Sequence, residues 1–151
     1  MKEINLPNDI RKKVDNFVGE LKNTYADGLI SAVLYGSAAS GEYAGKYSNI
    51  NLAVVLKDAS IPSIKRCARF VGKNKFLSIT PVFFTEDYIR RSLDVFPIEF
   101  LDMKENHLVL HGKDIFKDVQ VDLKNLRFQC EQELKSKILS VKKMYLRGRN
   151  R

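Results

Sequence analysis

The sequence has only two cysteines and two histidines among its 151 residues, and their spacing excludes the common metal and redox motifs. Cys67 and Cys130 lie too far apart for a zinc-binding or dithiol pattern. We expect both to be reduced and buried, as free cysteines usually are. His107 and His111 lie four residues apart without a third ligand close in sequence, so we expect structural or surface roles for them.

Long apolar runs are also missing. No segment approaches the roughly 20 apolar residues that a membrane-spanning helix needs. The N-terminal residues MKEINLP lack the apolar centre and small-residue cleavage site of a signal peptide. We therefore expect a cytoplasmic location. Internal repeats, low-complexity segments and linkers are absent as well, and the length with its 44% hydrophobic residues fits one ordinary globular domain.

Negative charge is the scarcer sign. Lysine and arginine number 26 against 18 aspartates and glutamates, which gives a formal net charge of +8. A basic balance favours polyanionic partners such as a nucleotide or a nucleic acid, although a solvated basic surface explains it equally well. The aromatic–basic patterns of RNA-binding modules are not present. The basic residues are densest at the C-terminus, at Lys142, Lys143, Arg147, Arg149 and Arg151.

Hydrophobic periodicity predicts a mixed order of helices and strands. The predicted helices cover residues 7–26, 61–73, 85–93 and 123–146, and the predicted strands cover 29–35, 50–56, 76–84 and 107–111. Residues 98–104 fit either type. Pro81 has no N–H to donate, so the third strand should lie at an edge of the sheet or be bulged there. This order is typical of an α/β (α+β) domain with a small mixed sheet of four or five strands flanked by helices.

The last helix divides the chain into residues 1–122 and a C-terminal amphipathic helix, residues 123–151, which we interpret as the start of a helical extension. Its apolar stripe consists of Leu126, Cys130, Leu134, Ile138, Val141 and Tyr145. Because large exposed apolar patches are rare, we expect the stripe to be covered. It could fold back on the core, self-associate, pair with a partner helix, or pack on a segment outside this sequence.

The most informative motif follows the first predicted strand. Gly36 and Ser37 end that strand, Ser40 and Gly41 continue the turn, and an Asn-Ile-Asn sequence at residues 49–51 leads into the second strand. A strand that passes into a helix through Gly-Ser offers backbone N–H groups, a hydroxyl and a positive helix end to a phosphate. We therefore predict nucleotide or phosphate binding at Gly36, Ser37 and Ser40.

This motif resembles the nucleotidyltransferase superfamily, which has the polymerase-β-like fold. The resemblance is close over residues 29–56 and looser over residues 29–114. It implies a small nucleotidyltransferase-like core in which two aspartates, at positions 49 and 51 of this sequence, would hold two divalent cations. It also implies a third carboxylate on the neighbouring strand, and metal-assisted transfer of a nucleoside monophosphate.

This chain departs from the family at all three carboxylates. Asn49 and Asn51 replace the two aspartates, and the third predicted strand offers hydroxyls, such as those of Ser78 or Thr80, and no acid. Mg²⁺ prefers carboxylate and phosphate oxygens, and an amide brings no charge. We therefore expect a catalytically degenerate domain with no catalytic residues, no metal and no cofactor. An engineered Asp-to-Asn exchange is an alternative, but the acid-free third strand disfavours it.

Two alternative functions stay open from the sequence. The first is an active nucleotidyltransferase that modifies a small molecule, a protein or an RNA with Mg²⁺. Its acids would come from elsewhere in the chain, namely Glu42, Glu86 or Asp87, or from a partner. The second is a nucleic-acid-binding domain. Other candidates have weaker support: Tyr43 and Tyr47 could stack on a base but fit ordinary packing better, and Glu99, Asp102 and Glu105 fit a solvated helix face.

Overall fold

The computed structural model describes residues 6–42, 49–73 and 79–148 and has seven helices and four strands in those ranges. The helices are α1 (Asn8–Tyr25), α2 (Ser37–Ser40), α3 (Ile61–Lys65), α4 (Ala68–Lys73), α5 (Glu86–Arg91), α6 (Pro97–Glu105) and α7 (Leu123–Gly148). The strands are β1 (Leu29–Tyr35), β2 (Ile50–Leu56), β3 (Ile79–Phe84) and β4 (His107–Gly112). A single 3₁₀ turn, Ala26–Gly28, joins α1 to β1.

The four strands form one mixed sheet in the order β3-β2-β1-β4. β1 pairs antiparallel with β2 and with β4, and β2 pairs parallel with β3. This arrangement brings the end of β1 together with the starts of β2, β3 and β4. We call this edge of the sheet the Gly36 end, because Gly36 directly follows β1.

Two apolar clusters cover the two faces of the sheet. On one face, Phe17 and Leu21 of α1 and Phe70 of α4 pack against Leu34 and Leu52 of the central strands. On the opposite face, the cluster comprises Val33, Ala53, Val55, Phe84, Ile89, Phe100, Met103, Phe116 and Val119. Covering on both sides explains why β1 and β2 are near-continuous apolar runs rather than alternating ones.

The structure confirms most of the predicted elements. β1 and β2 have the predicted bounds, β4 extends by one residue to Gly112, and the sheet has four strands. β3 lies at an edge, as Pro81 predicted, although the predicted residues 76–78 lie outside the described ranges. Thr85 caps α5, since its hydroxyl accepts a hydrogen bond from the N–H of Tyr88 at 3.1 Å.

One helical prediction needs correction, and one ambiguous segment is resolved. The helix predicted over residues 61–73 is divided into α3 and α4, because the N–H groups of Arg66 and Cys67 bond three residues back instead of four. The Tyr25 hydroxyl contributes to this tight turn by donating to the carbonyl of Ser63 at 3.0 Å. Residues 98–104, which fitted either a helix or a strand, belong to a helix, α6, which begins at Pro97, where the missing N–H of proline is tolerated.

Of the alternatives left open for covering the α7 stripe, folding back on the core is not what the described residues show. Leu126 is half-buried, but every residue from Cys130 to Gly148 is exposed. The prediction that both cysteines are buried is correspondingly half right, because Cys67 is 1% exposed and Cys130 lies on the exposed part of α7. Helical periodicity identified the stripe correctly, but periodicity does not specify what covers it.

Near its start, α7 is fixed to α6 by one side chain. The Gln129 side-chain oxygen accepts a hydrogen bond from the N–H of Ile98 at 2.9 Å, and its amide donates to a carboxylate oxygen of Glu99 at 2.9 Å. The N–H of Ile98 belongs to the first turn of α6, which has no intrahelical acceptor for it. Gln129 therefore caps α6 and fixes the first turns of α7.

None of the described helices has the length and apolar character needed to cross a membrane.

Candidate functional site

Gly36 forms the sharp corner between β1 and α2. Its φ of 70° and ψ of −150° lie in a region that is open essentially only to glycine. Its N–H donates to the carbonyl of Asn106 at 3.1 Å, and its own carbonyl accepts from the N–H groups of Ala39 and Ser40. The corner is therefore fixed from both sides, and the N–H of Gly36 is not available to a ligand.

The short helix α2 supplies the remaining phosphate-binding candidates. The N–H groups of Ser37 and Ala38 have no acceptor among the described residues, and Ser37 is half-buried. The hydroxyl of the exposed Ser40 donates to the carbonyl of Ser37 at 3.3 Å. The helix has only four residues, so it adds little dipole to these two N–H groups.

Asn51 lies directly beside this corner. A Cβ atom placed on Gly36 would be 3.2 Å from the side-chain nitrogen of Asn51. Within the sheet, Asn51 pairs with Tyr35 on β1 and with Thr80 on β3, and paired residues present their side chains to the same face. The amide is therefore flanked by the phenol of Tyr35 and by the hydroxyl of Thr80, and the family resemblance implies a carboxylate at position 51 and another on the strand that carries Thr80.

Asn49 is exposed and precedes β2 by one residue. The structure thus brings Ser37, Asn49 and Asn51 to the same end of the sheet, but only Asn51 is held within the strand ladder. Ser78, Tyr43 and Tyr47 lie outside the described residues.

The structure adds three polar residues near the site that the sequence did not connect with it, namely Tyr35, Asp102 and Asn106. Burial, and secondarily the charge of Asp102, raises the pKa of Tyr35, so its phenol is neutral at pH 7. The side-chain amide of Asn106 donates to a carboxylate oxygen of Asp102 at 3.2 Å. Only the pairing of β1 with β4 and the packing of α6 bring these residues together, and neither has a local sequence signal.

The three acids that could replace the missing metal-binding carboxylates are Glu42, Glu86 and Asp87, and they do not lie together. Glu86 and Asp87 follow β3, at the opposite end of the sheet from Asn51, and Glu86 pairs there with Lys113 at 2.7 Å. Asp87 pairs with Arg90 and Arg91, which lowers its carboxyl pKa. Glu42 is closer to the site, since its N–H donates to the carbonyl of Ser37, but it is exposed. Two of the three candidates are therefore too distant.

The two histidines, His107 and His111, have the protein contacts expected of structural residues. The ring of His107 contacts the carbonyl of Lys104 at 2.9 Å and a carboxylate oxygen of Asp114 at 3.0 Å, and packs edge-on against Phe116. Burial, and then the charge of Lys22, lowers the pKa of His111. The described residues contain no group of three potential metal ligands among histidine, cysteine, aspartate and glutamate.

An apolar cavity lies on the same face of the sheet as Asn51. It has a volume of about 300 Å³ and is lined by Tyr35, Val82, Phe84, Tyr88, Phe96, Glu99, Phe100 and Met103. This volume is at the lower limit for small-molecule pockets. Glu99, one of its polar lining residues, already binds Gln129. As predicted, Glu99, Asp102 and Glu105 all lie on an exposed face of α6.

The donors at the Gly36 end do not match the needs of a pair of divalent cations. Asn51 provides one neutral carbonyl oxygen, Thr80 a neutral hydroxyl, and Tyr35 a neutral phenol. Hard cations such as Mg²⁺ are held mainly by carboxylate and phosphate oxygens. This end of the sheet can donate and accept hydrogen bonds, but it offers little charge to concentrate a metal.

Comparison with known proteins gives a match in structure alone. No family model matches the sequence, and none of the curated proteins matches it. Among solved structures, the chain is similar to the spectinomycin adenyltransferase AAD(9) from Enterococcus faecialis, determined with ATP and spectinomycin. The TM-score is 0.59 at 11% identity, over 77% of this chain and 62% of that enzyme. At this identity the similarity shows the fold, and the chain spans about three fifths of the enzyme's length.

Two toxin–antitoxin structures also match, with TM-scores too low to support an argument. A toxin–antitoxin with AMP-PNP matches at a TM-score of 0.46 and 15% identity, over 86% of this chain and 98% of that one. A tri-AMPylated Shewanella oneidensis HEPN toxin in complex with the MNT antitoxin matches at 0.45 and 14%, over 88% and 98%. The predicted fold is therefore confirmed through the adenyltransferase.

Proposed function

We propose that this chain, which has the nucleotidyltransferase fold, is a catalytically degenerate member of that fold that works by binding and not by nucleotidyl transfer. The observation that carries the proposal is the position of Asn51. Its amide lies beside Gly36, on the inner strand β2, with Tyr35 and Thr80 as its neighbours across the sheet. A neutral amide stands at the position where the family resemblance implies a charged metal ligand.

The loss of charge has a clear chemical consequence. In two-metal phosphoryl transfer, the cations bind the triphosphate and lower the pKa of the attacking hydroxyl. The protein must first attract these cations with carboxylates. With an amide at position 51, an exposed amide at position 49 and a hydroxyl at position 80, that attraction is missing, and so we derive no catalytic step for this site.

The same substitutions favour binding of a phosphate without metal. Two carboxylates would repel a triphosphate by ~1–4 kcal/mol per charge pair at the dielectrics of a protein surface, and the asparagines remove this repulsion. The N–H groups of Ser37 and Ala38 and the Ser37 hydroxyl remain as contacts. Because α2 is short and the N–H of Gly36 is occupied, we expect weak binding that does not depend on the base.

Titration calorimetry tests this proposal. ATP, GTP and pyrophosphate are each titrated into the protein with Mg²⁺ and again with EDTA. We expect the three ligands to bind with dissociation constants within about tenfold of each other, and each to bind equally well in both buffers. Ser37→Ala should weaken all three, whereas the matched control Ser60→Ala, at the opposite end of the sheet, should change none.

Two other outcomes of the calorimetry would change the proposal. Affinity that disappears in EDTA would show that a metal site persists despite the asparagines, and would favour the active alternative. Absence of binding in both buffers would remove the phosphate site and leave only the interaction role of the domain.

That interaction role is assigned to α7. The exposed stripe of Leu134, Ile138, Val141 and Tyr145 is a surface that needs a partner, either another copy of the chain or a helix of a different protein. Leu126, the first residue of the predicted stripe, is half-buried where α7 packs on α6. The free part of the surface therefore begins beyond Gln129.

A further inference from the structure

The free part of α7 carries a narrow apolar seam. Leu134, Ile138, Val141 and Tyr145 are between 53% and 69% exposed, and their spacings of four, three and four residues place them along one line of the helix. This alternation is the pattern of a and d positions in helix pairs that pack knobs into holes. Here Leu134 and Val141 are d positions, and Ile138 and Tyr145 are a positions.

The remaining exposed apolar residues argue against a membrane surface. Met144 is 63% exposed and lies beside the seam, which it widens by one residue. Leu139 and Leu146 are 58% and 66% exposed, and at 100° per residue they lie on the other side of the helix from the seam. A helix that lies on a membrane needs one broad apolar face opposite a polar face. On α7 the two apolar lines are separated by lysines, which fits a narrow contact with a second helix better.

The charges beside the seam select the partner. Lys135 and Lys142 occupy e positions and Lys137 occupies a g position, and no acidic residue follows Glu133. Lys135 and Lys137 already form exposed ion pairs along α7, with Glu131 at 3.6 Å and with Glu133 at 3.9 Å, and such exposed pairs are weak enough to exchange for the carboxylates of a partner. The seam is therefore flanked by Lys135 and Lys142 on one side and by Lys137 and the apolar Met144 on the other. The flanking charges are all positive, and flanking charges help to determine which helices pair.

A second copy of the chain does not fit these charges. In a parallel pair, the g position of one helix faces the following e position of the other, which would place Lys137 against Lys142. In an antiparallel pair, e faces e and g faces g, which again opposes lysines. Like charges at these positions disfavour pairing, whereas glutamates on a partner helix would place an opposite charge beside each of these lysines.

We propose that α7 docks an acidic amphipathic helix of a different protein, which inserts its apolar side chains along the seam and places carboxylates beside Lys135, Lys137 and Lys142. This names the class of partner for the interaction role proposed above. This proposal rests on the proposed function only in that α7 serves as a binding surface. The calorimetric test of phosphate binding at the Gly36 end therefore does not affect it.

Binding of synthetic helices to the full chain tests the proposal. Two fluorescent peptides of three heptads have isoleucine at a and leucine at d, one with glutamate and the other with lysine at every e and g position. Anisotropy titrations should show at least about tenfold tighter binding of the glutamate peptide. Its affinity should fall with added salt, because these charges are exposed to solvent.

Variants of α7 locate the contact. Ile138→Ser combined with Val141→Ser should weaken the glutamate peptide by about tenfold or more, since both side chains lie on the seam. The matched control, Leu139→Ser combined with Leu146→Ser, makes the same chemical change off the seam and should have less than about a twofold effect. Lys137→Glu combined with Lys142→Glu should reverse the preference, so that the lysine peptide binds more tightly.

Four results would overturn the proposal. The first is equal affinity for the two peptides, and the second is no binding of the glutamate peptide even in low salt. The third is a dimer by light scattering that the Ile138→Ser, Val141→Ser variant dissociates, since it would make a second copy the occupant. The fourth is seam-dependent binding to phosphatidylglycerol vesicles or to single-stranded RNA that exceeds binding of the glutamate peptide.

Discussion

The central strands and the last helix have equally regular apolar patterns, but the apolar residues of the strands are buried and those of the helix are exposed. In β1 and β2, Val33, Leu34 and Val54 are fully buried, with helices on both faces of the sheet. In α7, Leu134 is 64% exposed, and no element of the described chain reaches it. The difference teaches that apolar periodicity reports which surface must be covered and leaves open whether the same chain covers it.

Replacing one phenylalanine in each region gives the largest expected contrast. Phe17 on α1 is 1% exposed, and its ring packs edge-on against that of Phe70, with 5.2 Å between the ring centroids. Phe17→Ala should lower the free energy of unfolding by about 3–5 kcal/mol. Phe128→Ala on α7, where the ring is 71% exposed, should stay within about 0.5 kcal/mol of the unmodified chain. Denaturant unfolding measures both, and a large loss for Phe128→Ala would mean that α7 is covered in solution.

Two glycine substitutions separate the strained corner at the Gly36 end from regular helix. Gly36→Ala should destabilise the protein by about 1–3 kcal/mol, because its backbone conformation excludes a side chain and a Cβ would press on Asn51. Gly19→Ala in α1 has open space around the new Cβ and should stabilise by about 0.5–1 kcal/mol. Equal effects in urea unfolding would refute the proposed strain at the corner.

The attachment of α7 to the core should depend on Gln129. Gln129→Ala removes two hydrogen bonds and leaves the N–H of Ile98 without its cap, a loss of about 1–2 kcal/mol. Hydrogen exchange should accelerate in the first turns of α6 and α7. Gln132→Ala, one turn further along and exposed, is the matched control and should leave exchange in α6 unchanged. Identical exchange in both variants would contradict the capping role.

The smallest predicted effect is a loss of stability at alkaline pH, which arises from two tyrosines of the core. Burial raises the pKa of Tyr25 and of Tyr35, whereas a phenol in the unfolded chain titrates near 10. The folded state keeps both protons, so stability is complete below about pH 10 and falls as the pH rises above it. Tyr25→Phe should lessen this fall in unfolding measurements, and a profile unchanged by that substitution would contradict the assignment.

The sequence predicted the sheet better than it predicted the connections. β1 and β2 could be placed to the residue because buried strands are short apolar runs between turn residues. The division between α3 and α4 could not, because it depends on the Tyr25 hydroxyl reaching Ser63 across the fold. The type of residues 98–104 could not be decided from the sequence, because a short apolar segment fits either a helix or a strand, and proline is compatible with either a break or a first turn.

The candidate site was predictable where it is local in sequence. Gly36, Ser37 and Asn51 belong to one strand–turn–strand unit, so their spacing sufficed to bring them together. Tyr35 also belongs to this unit, but its contact with Asp102 depends on how α6 packs, which no local pattern encodes.

The most direct test of the central claim is a transfer assay with the complete chain. Triphosphates of the four ribonucleosides, radiolabelled at the α-phosphate, are incubated with the protein and Mg²⁺ or Mn²⁺, alone and with small-molecule, protein or RNA acceptors. We predict no labelled product, and almost no gain from Asn49→Asp combined with Asn51→Asp, because position 80 still lacks a carboxylate. Metal-dependent labelling by the unmodified chain, abolished by Ser37→Ala but not by Ser60→Ala, would contradict the account.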